Sequence, residues 1–223
     1  MTPYHLIGID PGQAHDPTAV VLLEWDTRKS PTYRVRGLHR FPLGTPYTEL
    51  PRALKPRLTA DPLKGQVAIA IDATGVGAPV IDHFREEVPN ITIYAITITG
   101  GNSVTGTEKN PHVPKRDLIG TASVVFEQRR IRVAANMNDT EPLRDELLAY
   151  RRTKSESGTD TYAAASGSHD DLVLALSLAL WIAENKRLIK PVYKSNARQI
   201  IDTRIPGVDE RLAQHHRRYW NFR

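Results

Sequence analysis

A chain of 223 residues is long enough for one well-cored domain with an appended segment. It contains no cysteine, which excludes disulfides, thiol nucleophiles and thiolate metal sites and leaves oxygen or imidazole as the ligands of any metal. No apolar run reaches the roughly 18 residues of a membrane span and no signal-peptide pattern precedes the first strand, so the composition predicts no membrane association and a cytoplasmic protein. The formal charge of +5 suits an anionic partner, but its placement matters more than its size.

The first element is the apolar strand His5-Leu6-Ile7-Gly8-Ile9, which runs directly into Asp10 and the turn residues Pro11 and Gly12. Asp16-Pro17 makes a turn before a second strand over Thr18 to Trp25. Ser30-Pro31 separates this from a third strand over Tyr33 to Phe41, and the short connections predict an antiparallel meander. Leu50, Leu54 and Leu58 have helical spacing, though Pro51 and Pro56 predict a broken helix. Gln66 to Asp72 is an almost uninterrupted apolar strand, the pattern of a central strand covered on both faces, and it too ends in an aspartate.

Ala73-Thr74-Gly75-Val76-Gly77 turns the chain into a helix over Ala78 to Glu87, and a strand over Ile91 to Ile98 completes a βαβ unit. Thr99 to Val113 reads as a long loop or loose hairpin, followed by a helix over Lys115 to Arg129. A short strand, Ile131 to Val133, and a helix over Thr140 to Tyr150 come next. Thr153 to Ser168 is polar and reads as a hairpin. The strongest periodic segment spans Ser168 to Ile182, an apolar helix with Ser168 as N-cap and Asp170 and Asp171 in its first turn. These elements place a domain over residues 1–186; residues 187–223 form a basic tail ending in His215-His216-Arg217-Arg218-Tyr219-Trp220-Asn221-Phe222-Arg223.

Three acidic positions stand out: Asp10, Asp72 and the pair Asp170-Asp171. An ionised carboxylate against an apolar core costs several kcal/mol, in order of magnitude, unless a cation or hydrogen-bond donors compensate it. If the first strand lies beside the strand ending in Asp72, both acids emerge at one sheet edge, where the helix start supplies the third. Carboxylates within about 4–6 Å raise one another's pKa, and divalent ions reverse that sign, so a metal site accounts for all three. Taken singly, each has a plainer explanation: Asp10 as a turn former, Asp72 as a turn acceptor, Asp170 or Asp171 as a helix cap. The segment Ile71 to Val80 is only faintly like a dinucleotide-binding turn, because Val80 stands where the third glycine belongs and the acid precedes the turn.

The segments Ile7-Gly8-Ile9-Asp10-Pro11-Gly12, Ile71-Asp72-Ala73-Thr74-Gly75-Val76-Gly77 and His169-Asp170-Asp171-Leu172-Val173-Leu174-Ala175-Leu176 resemble the three acidic motifs of the nuclease domain of phage terminase large subunits. Val113 to Ile119 resembles the segment that opens the following helix in those nucleases. The resemblance implies a ribonuclease H-like α/β fold, a mixed sheet of antiparallel meander plus parallel strands flanked by helices. It further implies an endonuclease that cuts double-stranded DNA with two Mg2+ or Mn2+ ions, as in the termination of viral genome packaging inside a bacterial host. Asp10 would bridge the ions, Asp72 would hold one, and Asp170 or Asp171 would complete the other. Two ions about 3.5–4 Å apart clamp the scissile phosphate. Asp16 could reach the site as an extra ligand or simply initiate a turn, and His169 is an auxiliary or an outer hydrogen-bonding group.

Candidate phosphate contacts are Lys109, His112, Lys115, Arg116, Arg129 and Arg130, then Arg151, Arg152 and Lys154, then Arg217 and Arg218 with the neighbouring aromatic residues. The chain has no G-x-x-x-x-G-K-[ST] motif, so a packaging ATPase or a portal protein is the expected partner and packaging by this chain alone is not expected. Within the same fold a Holliday-junction resolvase is the nearest rival, and a non-catalytic relative that binds DNA or the motor is a second.

Overall fold

The computed structural model describes residues 4–12, 16–26, 31–153 and 170–185. Eight strands form one sheet: β1 (Tyr4–Asp10), β2 (Ala19–Asp26), β3 (Thr32–Arg40), β4 (Val67–Asp72), β5 (Thr92–Thr99), β6 (Thr105–Gly106), β7 (Pro111–Pro114) and β8 (Ile131–Val133). Five helices flank it: α1 (Glu49–Leu58), α2 (Gly77–Glu87), α3 (Lys115–Glu127), α4 (Thr140–Thr153) and α5 (Asp171–Asn185). The strand order is β6-β7-β5-β4-β1-β2-β3-β8. The meander β1-β2-β3 is antiparallel, and β1 also pairs in parallel with β4. The expected βαβ unit is β4-α2-β5, and its two strands are parallel neighbours. With β5 parallel to β7 and β3 parallel to β8, every strand except β2 and β6 runs the same way. The carboxyl ends of β1, β3, β4, β5 and β7 therefore share one edge.

The period-2 pleat sorts the strand residues between two apolar layers. Ile7, Ile9, Ile69 and Ile71 pack under α1 and α2, with Leu50, Leu54, Leu58 and Phe84. Leu6, Ala68 and Ala70 face the other way, onto the layer built from α3, α4 and α5. Continuing that alternation, Gly8, Asp10 and Asp72 fall on the α5 face. Every residue of α5 from Asp171 to Ala183 is buried, as expected of a helix that is apolar all round and enclosed between a sheet and other helices. Small residues set its depth. A Cβ on Gly8 would lie 1.8 Å from the Ala175 carbonyl oxygen and 3.3 Å from the Ala179 Cβ, so only glycine lets α5 rest on β1.

Several sequence expectations change in detail. α1 is continuous: Pro51 lies in the first turn, where its missing N–H has no intrahelical partner to lose, and Pro56 is accommodated within the last turn. Residues 99–113 form the short β6–β7 hairpin, and β7 joins the main sheet. α3 ends at Glu127 and α4 extends to Thr153. α5 starts at Asp171, and the Asp170 carbonyl accepts the Leu174 N–H at 2.8 Å. Asp170 is thus the residue that caps α5, in place of the expected Ser168, and only Asp171 lies within the helix. Thr153, expected to open a hairpin, ends α4; the rest of that expected hairpin, 154–168, and the tail over 187–223 lie outside the described residues.

At the edge away from Asp10, His5 is buried beside Glu24, its register partner on β2. Glu24 accepts from Arg34 at 3.0 Å and from Arg36 Nε at 2.8 Å. Burial, helped by Arg36 and opposed by Glu24 and the Gln66 carbonyl, pushes the His5 pKa down to about 4.

Two outcomes are expected from this packing. Gly8→Ala displaces α5 from β1 and lowers unfolding free energy by about 3 kcal/mol or more, read by urea denaturation. His5 is neutral when folded and takes up its proton near pH 6.5 when unfolded, so the unfolded chain binds more protons between these values. Stability falls as pH drops from about 6.5 to about 4, by about 3 kcal/mol from this group. Denaturation curves across that range show a shallower slope for His5→Gln; an unchanged slope contradicts the assignment.

Candidate active site

Asp10 ends β1 and Asp72 ends β4, and the parallel register Ile9↔Ile71 sets them side by side. The pleat turns both toward α5, whose start delivers Asp170 and Asp171 to the same edge. A cleft of about 280 Å³ opens there, lined by Asp10, Pro11, Gly12, Asp16, Tyr47, Gly75, Asp170 and Asp171. The β1–β2 turn is closed on itself, with the Gly12 N–H donating to Thr18 Oγ1 at 3.0 Å. A Cβ on Gly12 would come within 2.0 Å of the Asp16 carbonyl oxygen.

The four carboxylates are held in different ways. Asp10 has its pKa raised well above the usual carboxylate range, first by burial and then by the charges of Asp72, Asp170 and Asp171, against the opposing effect of Lys115. Asp72 is raised chiefly by burial, and Thr74 opposes this through its N–H, 2.8 Å from Asp72 Oδ1, and through its hydroxyl. The Ile98 N–H donates to the same hydroxyl oxygen at 2.8 Å, tying the Asp72 turn to β5. Asp170 Oδ2 accepts from Lys115 Nζ at 2.8 Å. Asp171 is only 3% exposed and takes a two-pronged contact from Arg40, whose Nε lies 2.7 Å from Oδ2 and whose Nη2 lies 2.9 Å from Oδ1.

Arg40 also donates to Glu146 of α4. The other Glu146 oxygen accepts the Val173 N–H at 2.9 Å, one of the first-turn amides that α5 cannot satisfy itself. Two buried carboxylates thus share one guanidinium, and the Glu146 pKa is pushed up to about 8, by burial first, with Asp171 and Asp170 adding and the Val173 amide and Arg40 opposing. Neither Arg40 nor Glu146 stood out in the sequence.

The expected DNA contacts divide by what they touch. Arg116 grips Asn102, with Nη1 2.8 Å from the side-chain oxygen and Nη2 2.7 Å from the carbonyl. Arg130 forks onto Glu184 at 2.6 and 2.9 Å and lies over the Tyr33 ring, about 20 Å of helix away from Asp171 at 1.5 Å per residue. Lys109, His112 and Arg129 are exposed. His169, Lys154, Arg217 and Arg218 lie outside the described residues, as do the side chains of Arg151 and Arg152.

Asp10, Asp72, Asp170 and Asp171 offer carboxylate oxygens, the ligand type of hard divalent ions such as Mg2+ and Mn2+. Asp10, half-buried among like charges, is the group that such an ion would relieve. The donor set fits a divalent metal. Among the described residues no three His, Asp or Glu side chains already converge as a cage. The partners explain this: Arg40 holds Asp171, Lys115 holds Asp170 and Thr74 holds Asp72.

A mixed eight-stranded sheet with helices on both faces and acids at the carboxyl ends of adjacent strands is the ribonuclease H-like arrangement. Residues 7–181 match the model of the terminase RNase H-like domain, and the chain belongs to that family. Among solved structures it is similar to the large terminase nuclease of thermophilic phage G20c with bound magnesium, at 23% identity over 80% of each chain and a TM-score of 0.55. It is also similar to the human cytomegalovirus terminase nuclease domain soaked with manganese, at 12% identity over 82% of this chain and 85% of that chain, TM-score 0.52. At these identities the structures share a fold. Comparison with curated proteins finds no significant match. Among the described residues no helix is long and apolar enough to cross a membrane.

Replacing Arg40 by Met leaves Asp171 and Glu146 buried without their shared cation. Unfolding free energy is expected to fall by about 3 kcal/mol in denaturant titrations. Arg40→Lys recovers only part of the loss, since a point charge cannot reproduce the fork.

Proposed function

We propose that this chain is a divalent-metal-dependent endonuclease that hydrolyses phosphodiester bonds of double-stranded DNA, working with a packaging ATPase or portal protein to end viral genome packaging. The observation that carries the reading is the proximity of Asp72 and Asp170 to Asp10 at one edge of the sheet in a chain of the terminase RNase H-like family. Two Mg2+ or Mn2+ ions held there would activate the attacking water and stabilise the leaving 3′ oxygen.

The chain's own residues do the positioning. Asp10, at the end of the buried strand β1, would be the central ligand of the metal. Thr74 aims Asp72. Asp170, outside the helical turn and partly open to solvent, is the third ligand. Asp171 differs from its neighbour because a buried fork on Arg40 occupies both of its oxygens, so its part is to anchor the start of α5. Asp16 lines the cleft, is exposed, and serves as an outer ligand. The exposed Lys109, His112 and Arg129 remain available to phosphates; Arg116 and Arg130 are engaged in the fold.

Plasmid cleavage with Mg2+ or Mn2+ tests the proposal. Asp10→Asn, Asp72→Asn and Asp170→Asn each lower the rate by about a hundredfold or more with little change in melting temperature. Asp171→Asn lowers stability as well as rate. If neither ion supports cleavage by the wild-type chain, or if Asp10→Asn cuts as well as wild type, the nuclease assignment fails. Preference for a four-way junction over linear duplex would replace the packaging role with a resolvase-type one.

A further inference from the structure

We propose that Lys115 is a built-in counter-cation of the acid cluster, filling the charge position that a divalent ion takes over, so that metal entry and release of the Lys115–Asp170 pair are one coupled event. The proposal rests on the metal-dependent reading of this site.

The placement follows from topology. β7 runs parallel to β5, which runs parallel to β4, so the residue after β7 emerges at the edge where Asp72 and Asp10 end. That residue is Lys115, the first of α3, preceded by Pro114 at the cap position. Its ammonium lies 2.8 Å from Asp170 Oδ2, and its charge also acts on Asp10 and Asp72. One cation thus faces the three carboxylates assigned as ligands.

Among the described residues, the other nearby cations are engaged elsewhere. Arg40 is committed through a buried fork to Asp171 and through a further contact to Glu146. Arg116, next in sequence, is fastened to Asn102. Lys115, by contrast, makes one ion pair with a carboxylate that is itself partly open, the side chains being 35% and 27% exposed. A point charge on a flexible four-carbon stem can leave such a contact without disturbing the backbone. A divalent ion accepting the same Asp170 oxygen both removes the lysine's partner and repels its charge. Lys115 is therefore a positioning residue that keeps the empty cluster compact and competes with the metal.

The test uses the full chain. Mn2+ and Mg2+ binding is measured calorimetrically, and melting temperature is recorded with and without metal, for wild type, Lys115→Met, Lys115→Arg, Asp170→Asn and the Lys115→Met/Asp170→Asn double variant. Lys115→Met is expected to melt several degrees lower without metal, yet to bind Mn2+ at least threefold more tightly and show a larger metal-induced rise. Lys115→Arg stays near wild type, and in the Asp170→Asn background the Lys115→Met effect on melting disappears. A purely structural lysine would lower stability without tightening metal binding, so equal or weaker Mn2+ affinity in Lys115→Met overturns the proposal. Should Lys115→Met fail to fold, the wild-type side-chain ¹⁵N resonance of Lys115 decides. A shift on Mg2+ titration that saturates with the calorimetric affinity supports the exchange, and an unmoved resonance overturns it. A wild type that takes up no metal defeats this proposal and the nuclease reading together. A wild type that binds metal and cleaves DNA while Lys115→Met binds no tighter defeats this proposal alone.

Discussion

The contact on which the molecule depends is the seating of α5 against the backbone of β1. A helix buried on every side can lie that close only over residues with almost no side chain; Gly8 on β1 meets Ala175 and Ala179 on the helix, and Ala68 and Ala70 of β4 belong to the same layer. The consequence for the site is geometric. Once Gly8 fixes the helix axis, the start of α5 projects at the carboxyl ends of β1 and β4, and Asp170 arrives beside Asp10 without any loop having to carry it. Rigid elements hold catalytic groups more accurately than loops do. The whole acid set is carried on strand ends and a helix start.

Charge is arranged around that scaffold at two levels. The Arg40–Asp171–Glu146 group is buried and forked, and it joins β3, α4 and α5 at the point where α5 needs its first amides satisfied. Such a group is costly to break from either side and adds definition more than net stability. Lys115 meets Asp170 through one contact between partly exposed side chains. Adjacent aspartates in sequence have thereby acquired different surroundings, one buried under a two-pronged guanidinium contact and one partly open beside an ammonium, because one lies within the helical turn and the other caps it.

Much of this was legible in the sequence, for physical reasons. Asp10 and Asp72 each terminate an apolar run, and a parallel neighbour relation plus the period-2 pleat is enough to bring them together on one face. Arg40 was hidden by a β-bulge. In β3, Tyr33 and Val35 face α5, and simple alternation would send Arg40 to the opposite side. The register with β2 slips between Leu22 and Leu23, so that Arg36 is an extra residue and the pattern changes phase. Leu38 and Arg40 then face α5 while Phe41 joins the other layer. No spacing rule reveals a single inserted residue in a strand whose apolar pattern is already irregular. The distinction between Asp170 and Asp171 was equally out of reach. It depends on which carbonyl accepts the first helical hydrogen bond, and boundaries of that kind shift by a residue or two without changing composition. The prolines of α1 misled in the other direction, since their cost depends on where in the helix they fall.

The same bookkeeping of charge bears on how a polyanion could reach this edge. Among the described residues at this edge, the carboxylates Asp10, Asp16, Asp72, Asp170, Asp171 and Glu146 outnumber the cations Arg40 and Lys115. Raised pKa values on Asp10 and Glu146 reduce the imbalance but leave the edge acidic. Several of the basic residues that give the chain its surplus are consumed elsewhere, Arg34 and Arg36 on Glu24 and Arg130 on Glu184. An overall charge of +5 therefore does not make the cleft itself attractive to phosphate. On the nuclease reading, DNA is held first by exposed cations such as Lys109 and Arg129, away from the acids. On that reading, a scissile phosphate would settle against Asp10 only once divalent charge had reversed the local sign. The release of Lys115 from Asp170 would then free a cation beside the incoming phosphate at the moment the metal arrives.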